Sequence, residues 1–90
     1  MKHFVYMLIS KKNSKVVTYV GYSINPKKRL IIHNNGKGAK FTRGRIWKLI
    51  FKKNLTNKSK ALKFEYFLKK NIKLRNSIKN RYLNAYRSKR

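Results

Sequence analysis

HFVYMLISKKNSKVVTYVGYS, residues 3–23, decides the fold. Two runs rich in β-branched and aromatic residues, 3–10 and 16–23, flank the short polar segment KKNSK, which is the composition of an antiparallel hairpin. With the turn centred near Lys12 and Asn13, Tyr6 falls opposite Tyr19. Directly opposed residues project from one face of a sheet, so the hairpin sets two phenols side by side.

Working outward, NPKKRLIIHNNG follows the hairpin. Asn25 is a suitable N-cap, Pro26 suits the first helical position, and Gly36 can end the helix in a left-handed conformation. A short helix is predicted over 26–34, with Arg29 and His33 one turn apart on one face. The segment NNGKGAKFTRGR (34–45) carries three of the four glycines and reads as a basic loop. It lacks the GxxxxGK[ST] spacing of a nucleotide-binding P-loop. A third strand is predicted over 46–53 (IWKLIFKK), with Trp47 and Phe51 on one face as core residues. Thr56 or Asn57 then caps a helix running to about Asn71. On this helix Ala61, Phe64, Leu68 and Ile72 form one apolar stripe, and Glu65 falls inside it. Ile78, Tyr82, Ala85 and Tyr86 recur at helical spacing, which predicts a last basic amphipathic helix over about 74–90.

Ninety residues support one domain with one modest core; there is no repeat or linker to divide them. Twenty-six lysines and arginines against one acidic residue give a formal charge of +25, strongly self-repelling unless a polyanion neutralises it. DNA or RNA is the partner that charge implies. The absence of cysteine excludes disulfides, thiolate zinc sites and cysteine nucleophiles. The apolar run FVYMLI (4–9) is far too short for a membrane span and has no cleavage signal behind it, so the expected location is intracellular. The one acidic residue is Glu65. A carboxylate on an apolar helix face is costly to desolvate unless it pairs with a cation or binds a metal, and composition leaves both alternatives open.

VYM at 5–7, YVG at 19–21, Arg29 and His33 in R-x-x-x-H spacing, GKGAKFTRGR and the helical Glu65, in this order, resemble the GIY-YIG nuclease superfamily. Within it they are most similar to small stand-alone bacterial members and to the catalytic domain of nucleases that cut flaps and Holliday junctions. The resemblance spans residues 3 to about 72. It departs at Val5, which stands where the first triplet has glycine, and in lacking the cysteine-rich zinc domain of the junction nucleases.

The resemblance implies an α/β fold, a small mixed three-stranded sheet flanked by helices in the order β-β-α-β-α-α. It also implies hydrolysis of DNA phosphodiesters with one Mg²⁺ or Mn²⁺ ion held by Glu65. Tyr6 is then the general base and Tyr19 positions the water or the phosphate. Cations nearby must favour the phenolate of Tyr6, since a phenol with a pKa near 10 is a poor base. Arg29 binds the non-bridging oxygens, and His33 bonds Tyr6 or the phosphate. Lys37, Lys40, Arg43 and Arg45 are expected to clamp the nucleic-acid backbone. Flapped or branched DNA is among the implied substrates, and a homodimer or a protein partner stays open. Two rival readings are a non-catalytic basic nucleic-acid-binding protein on the same fold and an RNA-cleaving nuclease.

Overall fold

The computed structural model describes residues 2–88. Strands β1 (His3–Lys12) and β2 (Lys15–Ser23) form the hairpin; helix α1 (Pro26–Asn34) follows, then a single 3₁₀ turn (Lys40–Thr42) and strand β3 (Lys48–Leu55). Helices α2 (Lys58–Lys70) and α3 (Ile72–Ser88) complete the chain. The strand order is β2-β1-β3. Both neighbours of β1 run against it, so the sheet is antiparallel throughout rather than mixed.

The hairpin turn is one residue further along than the sequence predicts. Lys12 pairs with Lys15, leaving Asn13 and Ser14 as a two-residue turn with positive φ angles of 52° and 70°. Two successive left-handed residues match the twist of the flanking strands, and asparagine tolerates that region well. Tyr6 consequently stands opposite Gly21, and Tyr19 opposite Leu8. A shift of the partner by two residues keeps the same face, so Tyr6 and Tyr19 become diagonal neighbours with ring centroids 6.5 Å apart.

Alternation along β1 builds two cores. Val5 and Met7 point to one side, with Val20 of β2, and are covered by Ala61 and Leu68 of α2, with Phe64, Leu74 and Ile78 alongside. Tyr6 and Leu8 point to the other, with Trp47, Tyr19, Leu30 and Leu49. Between them the β1–β3 ladder carries a bulge: Met7 pairs with Phe51 but Leu8 with Leu49, so Ile50 has no opposite residue. Trp47 and Phe51, expected on one face, therefore lie in different cores, Phe51 against the first and Trp47 inside the second. Trp47 itself precedes the strand. Asn34 at the end of α1 holds it there, accepting from Trp47 N at 2.7 Å and donating to Trp47 O at 3.2 Å.

The helix ends follow their capping residues. Asn25 accepts from Lys28 N at 3.2 Å, and Asn57 from Lys60 N at 2.8 Å. The amides of Gly36 and Lys37 return to the carbonyls of His33 and Ile32, closing α1 in the paired pattern expected of a left-handed residue at 36. The chain breaks helical phase at Asn71, whose side chain accepts from Leu74 N at 2.9 Å and starts α3. The break turns Ile72 out of the apolar stripe to 62% exposure, whereas Ala61 and Leu68 are buried as their spacing predicts. On α3, Ile78 and Tyr82 are half-buried and Ala85 is exposed; the side chain of Tyr86 and residues 89–90 lie outside the described part.

Candidate active site

The face of the sheet covered by α1 brings together Tyr6, Tyr19, Arg29 and His33. Tyr6 is buried, and its ring lies across Gly21 of the outer strand, where a Cβ would sit 2.5 Å from the phenol oxygen. Only glycine leaves room for that ring. His33 is fully buried, and Gly38 packs so close to its ring that an added Cβ would collide with Nδ1. Tyr19 lies at the centre of the group, its ring 5.0 Å from that of His33, 6.3 Å from Phe41 and 6.4 Å from Trp47.

A directed chain of hydrogen bonds runs through this cluster. The Thr42 hydroxyl donates to the Ala39 carbonyl at 2.9 Å. Its one proton is thereby used, so toward His33 Nδ1, also at 2.9 Å, it accepts. Nδ1 then carries the proton of the neutral imidazole, and the bare Nε2 accepts from the Tyr6 hydroxyl at 2.9 Å. Burial pushes the His33 pKa below its ordinary value, and the positive charge of Arg29 adds to this, so the neutral form required by the chain is the stable one. Thr42 was not singled out by the sequence. It sits in a loop without periodicity, and a threonine there gives no signal of being buried.

Tyr6 departs from expectation in its acidity. Burial raises the pKa of its phenol above the usual 10.0; the Arg29 guanidinium beside it pulls the other way without prevailing, while Tyr19 and Glu65 add to the rise. The excess of cations in the chain is mostly on the solvent side, and a phenolate inside the fold would lose its hydration.

Glu65 comes from α2 on the other side of the sheet, close enough for its charge to act on Tyr6. Its side chain is 19% exposed and pairs with Lys69 one turn later, Oε2 to Nζ at 3.4 Å. The salt bridge that composition leaves open is thus formed. Lys69 is half exposed, and such i,i+4 pairs contribute only about 0.3–0.5 kcal/mol, so the carboxylate can readily change partner.

His33 has both ring nitrogens engaged and cannot serve as a metal ligand. Among the described residues there is no group of three or more His, Cys, Asp or Glu side chains suited to hold an ion. The donor set is a single carboxylate, which fits a hard cation that keeps most of its waters and completes its shell with substrate phosphate oxygens, as Mg²⁺ does.

Of the four loop cations, Lys37, Lys40 and Arg43 are exposed, while Arg45 is half-buried and turned back toward Ser10 Oγ of β1 at 3.5 Å. A shallow groove along the outer strand, lined by Thr18, Tyr19, Val20, Lys69 and Arg75, adds two cations that the sequence reading did not assign.

The GIY-YIG catalytic domain family matches residues 2–87. A UPF0213 protein of Staphylococcus epidermidis is 45% identical over 69 residues, which span 76% of this chain and 80% of that protein. Another UPF0213 protein, from Bacillus licheniformis, is 40% identical over 86 residues, 94% of this chain and 82% of its own. A solution NMR structure of a UPF0213 protein from Bacillus halodurans covers 86% of this chain and 80% of its own at 32% identity, with a TM-score of 0.46. With the family matched across nearly the whole chain and the Staphylococcus epidermidis and Bacillus licheniformis proteins matched over most of their length, the protein belongs to the GIY-YIG catalytic domain family, a family of nucleases.

Proposed function

We propose that the protein is a metal-dependent DNA endonuclease. The observation that carries this reading is the oriented, buried chain from Tyr6 through His33 and Thr42 to the Ala39 carbonyl, with Arg29 beside it and the one acidic side chain, Glu65, near enough to act on Tyr6. Because the Tyr6 hydroxyl donates to His33, its oxygen can still accept, from Arg29 beside it and from a water. As a water attacks phosphorus, its proton passes to Tyr6 Oη while the phenolic proton passes to His33 Nε2. The bond from water oxygen to phosphorus forms, the bond to the 3′ oxygen breaks, and the leaving oxygen takes a proton from solvent. Tyr6 thus acts as a base without first becoming a phenolate, which accords with its raised pKa.

Arg29, beside Tyr6, binds the non-bridging oxygens in this reading and offsets their growing charge. The anionic phosphate in turn stabilises the imidazolium formed at His33. Glu65 would hold the divalent ion, Mg²⁺ or Mn²⁺, which supplies Lewis acidity at the phosphate and stabilisation of the leaving oxygen when bound. Lys69, released from Glu65, and the exposed Lys37, Lys40 and Arg43 are left to grip the backbone.

The non-catalytic reading draws on one observation, the Glu65–Lys69 pair, which neutralises the carboxylate that catalysis needs. Purified protein incubated with Mg²⁺ or Mn²⁺ and a panel of flap, junction, duplex and single-stranded DNA, with RNA counterparts, separates the readings. Metal-dependent cleavage of DNA is expected, lost in Tyr6→Phe, Arg29→Ala and Glu65→Gln with DNA affinity largely kept. Cleavage confined to RNA would move the substrate class, and tight, salt-sensitive binding without nicking on any member would leave the binding module.

A further inference from the structure

Phe41 is 58% exposed, an unusual position for a phenylalanine on a turn that is otherwise firmly held. The next residue, Thr42, is fully buried and bonded to both His33 and Ala39, and its carbonyl accepts from Trp47 Nε1 at 2.8 Å. The backbone on which Phe41 stands is therefore fixed, although its side chain faces water. One side of its ring rests on Tyr19, with centroids 6.3 Å apart and planes 21° from parallel, and its other near neighbour is Trp47, tilted at 6.1 Å. Lys40 and Arg43, both exposed, flank it on the same turn.

We infer that Phe41 is a stacking platform for an unpaired DNA base next to the scissile phosphate, a proposal that rests on the nuclease reading for its substrate. Three observations together favour this occupant. The ring is pre-organised by the turn and by Tyr19, so little freedom is lost when a flat partner lies on it. The surrounding cations suit a polyanion rather than an apolar protein surface. The ring also continues the Tyr6–Tyr19 cluster, whose Tyr6 has Arg29 beside it, so a base placed on it lies on the same run of side chains as the phosphate-binding arginine. In a continuous duplex both faces of each base are covered by its neighbours. A protein ring can take over a face only where a base is unstacked, as at a flap, a branch or a single-stranded end. The geometry thus narrows the substrate to DNA with an unpaired nucleotide beside the cut.

The test places 2-aminopurine at the unpaired position of a flap and reads its fluorescence and the binding affinity with EDTA present, so that no cleavage intervenes. Wild type and Phe41→Tyr should quench the fluorophore and prefer the flap over duplex. Phe41→Leu should lose the quenching and bind the flap about tenfold more weakly, the effect of one lost base–aromatic stack, with duplex affinity unchanged and the same circular dichroism. If Phe41→Leu keeps the wild-type flap-to-duplex ratio, the proposal is overturned. Tighter, equally Phe41-dependent binding of the RNA counterpart would overturn the assignment to DNA. Cleavage assays on the same flap with Mg²⁺ keep the two claims apart: quenching without cleavage removes the nuclease and leaves the platform, and Phe41-independent cleavage of flap and duplex alike removes the platform and leaves the nuclease.

Discussion

Tyr6 owes its place to a residue with no side chain. Gly21 lets the phenol lie across the outer strand, and a methyl group there would sit inside van der Waals contact of the hydroxyl. Gly21→Ala should therefore displace the ring by roughly an ångström and lower cleavage by about a hundredfold with little loss of DNA affinity, measured as single-turnover nicking beside equilibrium binding. Thr42 acts one bond further out. Thr42→Val keeps the shape but leaves the His33 Nδ1–H without an acceptor in a buried site, a cost of about 1–3 kcal/mol. Urea denaturation should register that loss, and the imidazole ¹⁵N shifts should lose the pattern of a single Nδ1–H tautomer. Thr42→Ser should restore both. The placement of Tyr6 and Tyr19 on one sheet face and of Arg29 and His33 a turn apart on α1 was legible in sequence from strand alternation and helical spacing, whereas the roles expected of them and of Glu65 came from the family resemblance. Thr42, Phe41 and the Lys69 pairing were not, since loop burial and rotamer choice leave no trace in a linear pattern.

Among the elements, α2 has the simplest dependence on one residue. Asn57 satisfies an otherwise orphaned amide at the start of the helix that carries Glu65. Asn57→Ala should cost about 1 kcal/mol of stability, read from the urea midpoint, while cleavage at 25 °C stays near wild type because Glu65 lies two turns beyond the cap. The helices were well marked in sequence: α1 has its predicted bounds, and α2 ends within a residue of expectation. Strand register was harder. Nothing in KKNSK distinguishes a turn centred on Lys12 and Asn13 from one centred on Asn13 and Ser14 before the backbone dihedrals are known, and the tyrosines still met only because the difference is even.

At the scale of the whole molecule, the site and the fold share a pH limit. His33 is buried neutral and its folded pKa lies below the ordinary 6.5, so the unfolded chain binds the proton more readily. Stability is complete above about pH 6.5 and declines as pH falls through the window between that value and the folded pKa. In most proteins many carboxylates obscure such a limb, but this sequence has a single acidic side chain, Glu65. Urea midpoints followed from pH 7.5 to 5 should fall in wild type, and His33→Asn should flatten the decline even if it lowers the plateau. A midpoint that falls equally in both proteins would assign the acid limb to something other than His33.

The bulge at Ile50 has a consequence for how such a small protein can change. One supernumerary residue in β3 serves as a phase adjuster between the two cores, letting one stretch of chain feed Trp47, just before the strand, to the layer around Tyr6 and Phe51 to the layer under α2. Deleting Ile50 would straighten the ladder and force a choice between them: either the tryptophan leaves the layer around Tyr6 or the phenylalanine leaves the one under α2. Deletion of Ile50 should thus lower the urea midpoint by more than its replacement by alanine, which keeps the chain length, so tolerance of length change at this point is set within a strand.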